Sequence, residues 1–251
     1  MALPEIVSRE EWLTARTALL EEEKALTRAR DALNARRRRL PMVEVTADHR
    51  FTGPDGEMSL VDLFDGRAQL IVYHFMFQPD WTEGCPSCSA DAVETSEGLL
   101  RHLHDRDTTL VYTSRAPYER LAAWRERLGY PVPHLSTVGD DFNLDHGVTF
   151  DATRRPLAYN YRSAEGWASQ PWNPFVNPDD QPFDLHGHSV FLRDDDRVFH
   201  TYSTYGRGAE GIGGSPYWLD LTPLGRQEDW EEPSDRSDRR LPPTPGITAD
   251  R

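Results

Sequence analysis

The chain has 251 residues, of which 37% are hydrophobic and 28% charged, with a formal net charge of −14 at pH 7. This composition supports one sizeable core and argues against a general nucleic-acid binder, which needs a basic face to displace counterions. No apolar run of about 18 residues exists, so no transmembrane helix is expected. The opening MALPEIVSREEW lacks the apolar centre of a signal peptide, and the expected compartment is a reducing cytoplasm.

Ser8 and Glu11 form an S-x-x-E capping box. Trp12, Leu19, Leu26 and Leu33 then recur every seven residues on a helix running to about Arg38. Arg36 to Arg39 suit its last turn, where cations complement the helix dipole, and Pro41 ends it. Residues 1–41 thus read as an amphipathic helix whose stripe packs either on the main domain or on a second copy, with a homodimer contact preferred. Residues 42–69 alternate short extended pieces with turns. Gly53-Pro54-Asp55-Gly56 is a hairpin-type turn, and Ser59 to Phe64 resembles the short element preceding the central strand of peroxiredoxin-like domains.

Leu70 to Phe77 is an apolar run expected to be a strand buried on both faces. It breaks at Gln78-Pro79-Asp80 and leads to the only two cysteines, Cys85 and Cys88, spaced C-x-x-C. Ser89 to His104 reads as a helix with Ala92, Leu99, Leu100 and Leu103 toward a sheet. Thr108 to Ser114 is a second buried strand, and Pro117 to Leu128 a helix stopped by Gly129. This β-α-β-α order predicts a parallel layer. Residues 130–187 are rich in Pro, Asn, Asp and aromatic residues with little periodicity. They read as an insertion folded over the domain, with the cysteines as a candidate for what it covers. Ser189 to Arg193 and Arg197 to Thr204 form a hairpin. Gly206 to Gly214 is a glycine-rich loop without the Lys-Ser/Thr of a phosphate loop. Tyr217 to Leu224 closes a domain spanning 42–230, and residues 231–251, charged and Pro-rich, read as a disordered tail.

A strand, a loop and a C-x-x-C at a helix mouth is how a thioredoxin-like fold presents a dithiol. Cys85, followed by Pro86 in the first helical turn, is assigned as nucleophile. Cys88, one turn further in, is assigned as resolving thiol. The expected fold is an α/β thioredoxin-like sheet of the peroxiredoxin/Sco-like variant. The leading function is dithiol oxidoreduction, on a small molecule or a thiol/disulfide partner and without a cofactor.

Histidines open a second chemistry. His186 and His188, in LHGHS, precede the strand that starts beside the C-x-x-C in thioredoxin-like sheets. His188, with His186 behind it, could join Cys85 and Cys88 in a Cys-Cys-His site for copper or zinc. Copper chaperones of the Sco type resemble this arrangement. This chain departs from them in having C-x-x-C rather than C-x-x-x-C and no membrane anchor. His74 reads as a satisfied core histidine, and His146 has no assigned place. Peroxide reduction is a third reading: Thr82 stands three before Cys85 as in the peroxiredoxin P-x-x-x-T-x-x-C, but Pro79 is one residue out of register and no Arg matches the peroxide-polarising partner. A non-catalytic association module is a further alternative.

The segments DLFDGRAQLIVYHFMFQPDWTEGCPSCS, TSRAPYERLAAWRERLGY, DDFNLD, SVFLRDDDRVFHTYSTYGRG and YWLDLTPLGRQE look like the DUF899 family of predicted thioredoxin-like bacterial proteins, over about residues 8–230. The resemblance implies a thioredoxin-like fold and says little of substrate. Carried over by it, the candidate catalytic positions are Cys85 and Cys88, with His200, Tyr202 and Arg207 in the HTYSTYGRG block.

Overall fold

The computed structural model describes residues 4–170, 173–175, 181–210, 212, 214 and 219–222. The expected tail at 231–251, and half of the expected closing segment Tyr217 to Leu224, lie outside the described residues. Helix α1 (Arg9–Arg37) begins at Ser8. The Ser8 hydroxyl accepts from the Glu11 N–H, and Glu11 accepts from the Ser8 N–H at 2.9 Å, so the capping box forms. No α1 residue is buried. Trp12, Leu19, Leu26 and Leu33 stay exposed, and packing of the stripe on the main domain is not realised. At its C-terminal end the Arg37 guanidinium lies 4.7 Å over the Tyr202 ring.

Strands β1 (Val43–Glu44), β2 (Arg50–Gly53) and β3 (Gly56–Ser59) follow, with β2 and β3 joined by the predicted turn. A 3₁₀ turn at Asp62–Phe64 inserts Leu63 and Phe64 into the core ahead of β4 (Gln69–His74), the central strand. The segment expected as one helix is two, α2 (Pro86–Glu94) and α3 (Glu97–His104). The break lies at Thr95, which turns extended, and at Ser96, whose hydroxyl caps α3 by accepting from the Leu99 N–H at 3.1 Å. A hydroxyl residue that can cap a new helix competes with continuing the old one. Leu99, expected to face the sheet, is consequently exposed, whereas Ala92 is buried.

Strand β5 (Thr108–Ser114) and helix α4 (Tyr118–Leu128) fall where predicted, and Gly129 caps α4 in the left-handed conformation at φ 74°. Strand β6 (His134–Ser136) then pairs with β5, so the main sheet reaches into the segment read as an insertion. Three residues are too few to show a period. Beyond it come α5 (Phe142–Asp145), β7 (Thr149–Phe150), β8 (Ala158–Tyr159), β9 (Arg162–Ser163), α6 (Ala164–Trp167) and β10 (Phe183–Asp184). Val148, Phe150, Tyr159 and Tyr205 make a cluster there, separate from the two main clusters. The chain finishes its described core with β11 (Gly187–Asp194), β12 (Arg197–Tyr205) and the short α7 (Arg207–Glu210), a turn of helix where a glycine loop was expected.

The main sheet runs β1-β12-β11-β4-β5-β6-β2-β3. Strands β4, β5 and β6 are parallel, β11 is antiparallel to β4, and β12 to β11. A parallel layer completed by an antiparallel hairpin, with the C-x-x-C helix after the central strand, is the thioredoxin-like α/β fold. Alternation along β4 sorts its side chains. Leu70 and Val72 pack with Phe51, Phe142 and Phe191 on one face. Tyr73 packs with Cys88, Tyr112 and Trp124 on the other.

Candidate functional site

The polypeptide leaves β4 through buried Phe75 and Phe77 and reaches Gly84. A Cβ at Gly84 would sit 2.7 Å from a Phe75 ring carbon and 2.9 Å from Trp124 Nε1, so only glycine lets the chain pass this close to the core. Cys85 then occupies the N-cap of α2 with Pro86 behind it, and its N–H donates to Met76 O at 2.9 Å. Arg120 clamps the preceding loop by donating to the carbonyls of Pro79 and Trp81, both at 2.7 Å. Trp124 Nε1 donates to Ser89 Oγ at 3.2 Å and ties α4 to α2.

The two thiols are both free and sit in different surroundings. Cys85 is half-buried, and its pKa falls to about 6. The largest cause is a hydrogen bond from Cys88; desolvation opposes it, and the N–H groups of Ser87 and Cys88 and the Ser87 hydroxyl add to it. These are the unsatisfied donors of a helix start, which favour an anion. Cys88 is 1% exposed. Burial, and then the Cys85 sulfur, push its thiol well up, opposed by a hydrogen bond from Tyr73. The arrangement thus favours ionisation of the outer sulfur, which receives a hydrogen bond from the inner one.

Tyr73 links this pair to β11. His188 stands opposite Tyr73 in the ladder, and their rings stack at 4.6 Å and 24°. His188 is buried, its pKa lowered to about 3 chiefly by desolvation and then by His186, and its Nδ1 has no hydrogen-bond partner among the described residues. His186 is half-buried just before β11, its carbonyl accepting from Tyr159 at 3.3 Å. The expected metal donors are not brought together among the described residues. It is the Tyr73 hydroxyl, not an imidazole, that meets Cys88, and among the described residues no group of three His, Cys, Asp or Glu side chains is placed to hold a metal ion. Cys85, Cys88, His186 and His188 therefore do not form the expected Cys-Cys-His donor set for copper or zinc. Tyr159, in the segment read as an insertion, is buried, its phenol raised first by burial, then by Tyr205 and Cys88, against a hydrogen bond from the Gly206 backbone.

His200 and Tyr202 belong to a different place. Across β11 and β12 the register slips, Val190 facing Tyr202 and Phe191 facing His200, so Thr201 is an extra residue. This bulge lets His200 and Ser203, three apart, share a face, which regular alternation forbids. A hydrogen-bonded row results: His200 Nε2 to Ser203 Oγ at 2.7 Å, Ser203 Oγ to Ser189 Oγ at 2.9 Å, Ser189 Oγ to His74 Nε2 at 2.9 Å, and His74 Nδ1 to Asn143 Oδ1 at 3.3 Å. His74 is the satisfied core histidine expected. His146 stacks on it at 5.9 Å and stands 5.3 Å from His200, ring centre to ring centre. Arg207 opens α7, beyond β12. The structure therefore joins Cys85 with Cys88, and His200 with Tyr202 along an open groove, but it does not merge the two sets into one site. Sequence reasoning missed Tyr73, Ser189, Ser203 and Asn143. Tyr73 was findable, because alternation along β4 puts it on the face opposite His74.

Among solved structures, the chain is similar to peroxidoxin BcpB of Mycobacterium tuberculosis, with 14% identity, 67% of this chain and 86% of that one covered, and a TM-score of 0.43. A mutant of peroxiredoxin Q from Xanthomonas campestris gives 10% identity, 68% and 91% coverage, and a TM-score of 0.47. Peroxiredoxin 6 of Arenicola marina gives 11%, 77% and 80%, and 0.44. No curated protein matches the chain. The family model described as a bacterial protein of unknown function (DUF899) matches residues 1–240, and the chain belongs to that family.

Proposed function

We propose that the protein is a thiol–disulfide oxidoreductase in which Cys85 and Cys88 cycle between dithiol and disulfide. The observation that carries this reading is the split between the two sulfurs: one accessible at a helix start and held near pKa 6, the other sealed, protonated and hydrogen-bonded to it. The Cys85 thiolate attacks one sulfur of a substrate disulfide, forming a mixed disulfide and expelling the other sulfur as a thiolate. Cys88 then gives up its proton and attacks Cys85 Sγ. The substrate leaves as a second thiol, two electrons having passed to it, and the Cys85–Cys88 disulfide remains. A dithiol reductant restores the pair. The Tyr73 hydroxyl stabilises the Cys88 thiolate at the moment it forms, since its hydrogen bond lowers that pKa. The copper or zinc alternative has less support, because its donors do not converge.

The test uses the reduced full chain. In a redox buffer it should form one intramolecular disulfide, and it should reduce a small aromatic disulfide at a rate that falls at least about 1000-fold in Cys85→Ser, which removes the attacking group. Cys88→Ser should instead accumulate the mixed disulfide on Cys85. Failure of the native protein to close the Cys85–Cys88 bond at any buffer poise would refute the proposal.

A further inference from the structure

The HTYSTYGRG block is not used by the dithiol chemistry, yet it lines an open-sided cavity of about 520 Å³ at the outer edge of β12. The cavity exists because β1 pairs with β12 only through Val43 and Glu44, opposite His200 and Phe199. Beyond His200 the edge is uncovered by any strand among the described residues. Leu40, Met42 and Val43, all exposed, form an apolar border. On the other side stands Tyr161, at the tip of the hairpin between β8 and β9. Asn160 and Tyr161 both take left-handed conformations there, at φ 50° and 60°. A two-residue hairpin needs that geometry, and a tyrosine is an unfavourable residue to put in it. The Tyr161 hydroxyl donates to Ser203 O at 3.2 Å, and its ring is 78% exposed beside the groove.

The polar end of the groove is fixed by the buried row. The Tyr202 carbonyl can only accept, so His200 Nε2, 3.1 Å from it and 2.7 Å from Ser203 Oγ, carries the ring proton. The Asn143 amide oxygen at the far end likewise only accepts, so His74 Nδ1 donates to it, and the two serines between must point the same way. The whole row is oriented from His200 inward. His200 Nδ1 is left as a lone-pair acceptor without a hydrogen-bond partner among the described residues, on a ring that lines the cavity.

We infer that this groove is a second ligand site, separate from the dithiol, for a small planar aromatic molecule bearing a hydroxyl that donates to His200 Nδ1. The volume suits such a molecule, the rings of Tyr161 and Tyr202 and the apolar border suit its flat faces, and the oriented imidazole selects a donor rather than an acceptor. The probes are 4-methylphenol and its methyl ether, 4-methylanisole, titrated into the full chain while side-chain resonances of His200, Tyr161 and Tyr202 are followed by NMR. The phenol should shift all three saturably at one equivalent, and the ether should bind at least about tenfold more weakly, because a site built for a hydroxyl is left unpaired by an analogue without one. In His200→Phe, which keeps an apolar ring, the two probes should bind alike. Equal affinity of the two probes for the unaltered protein would overturn the inference, and that comparison needs no variant. So would groove resonances that respond to protein dilution and not to either probe, since a second copy would then be the occupant.

Discussion

On one face of the central sheet, Tyr73, Tyr112 and Trp124 surround a dithiol supplied by four consecutive residues. On the other, His74, Ser189, Ser203 and His200 come from three strands and are joined end to end by hydrogen bonds. The first face owes its chemistry to a local feature, the start of α2, whose free N–H groups select an anion. The second depends on strand register and one bulge, so no short segment contains it. A site built at a helix mouth tolerates change elsewhere in the chain, whereas a row threaded through three strands is bound up with the stability of the sheet.

Three experiments separate the faces. The largest effect of a substitution on stability is expected from His74→Ala. It removes a 1% exposed ring and leaves Ser189 and Asn143 without their partner, a loss of about 3 kcal/mol in denaturant unfolding. The rate of Cys85 alkylation should stay within about twofold. If alkylation collapsed along with stability, the two faces would be one functional unit.

Acid should act on both faces at different pH. Cys85 titrates at about 6, so its alkylation should follow a single midpoint there and fall about tenfold for each unit below it. Stability should respond over a wider range, beginning near 6.5 and continuing downward. His146 and His188 are held neutral by burial, with folded values of about 4 and about 3. Unfolded, each ionises near 6.5, so below that pH the unfolded chain binds more protons than the folded one. Stability is therefore full above about 6.5 and should decline by at least about 3 kcal/mol by pH 4, as read by urea unfolding. An alkylation midpoint above about 8 would remove the helix-start account of Cys85. Acid-insensitive stability would show that these imidazoles are not held neutral.

The smallest effect is expected from Tyr73→Phe. The ring and its stacking on His188 survive, so stability should change by less than about 1 kcal/mol. Loss of the hydroxyl removes the hydrogen bond that lowers the Cys88 pKa, and release of the mixed disulfide, timed in a quenched single turnover, should slow by roughly three- to tenfold. An unaltered release rate would confine Tyr73 to packing.

The dithiol face was legible because each of its signals is local. An apolar run gave β4, a C-x-x-C gave the pair, and Pro86 marked the first helical turn. The second face was half legible. His74 was placed in the core from its apolar neighbours, and the HTYSTYGRG block was singled out by resemblance, but nothing in a linear pattern announces that a strand gains a residue at Thr201. The expected metal donors are not brought together among the described residues, for a related reason. His188 does stand at the start of β11, as expected, but strand pairing set Tyr73 opposite it, and the phenol took the position beside Cys88. The expected single helix over Ser89 to His104 was divided by Ser96, whose capping ability outweighs its modest helix propensity.

The extra residue at Thr201 acts as a phase shifter. Val198 and His200 lie in step with one another, as do Ser203 and Tyr205, and the two pairs, an odd number of positions apart, share a face only because the bulge absorbs Thr201. Straightening the bulge with Thr201 still in place would turn either the imidazole or the serine to the opposite side, whereas deleting Thr201 would leave the two residues two apart and on one face. A homologue one residue shorter at this point would carry the same row on a regular strand, so the bulge and its extra residue come and go together.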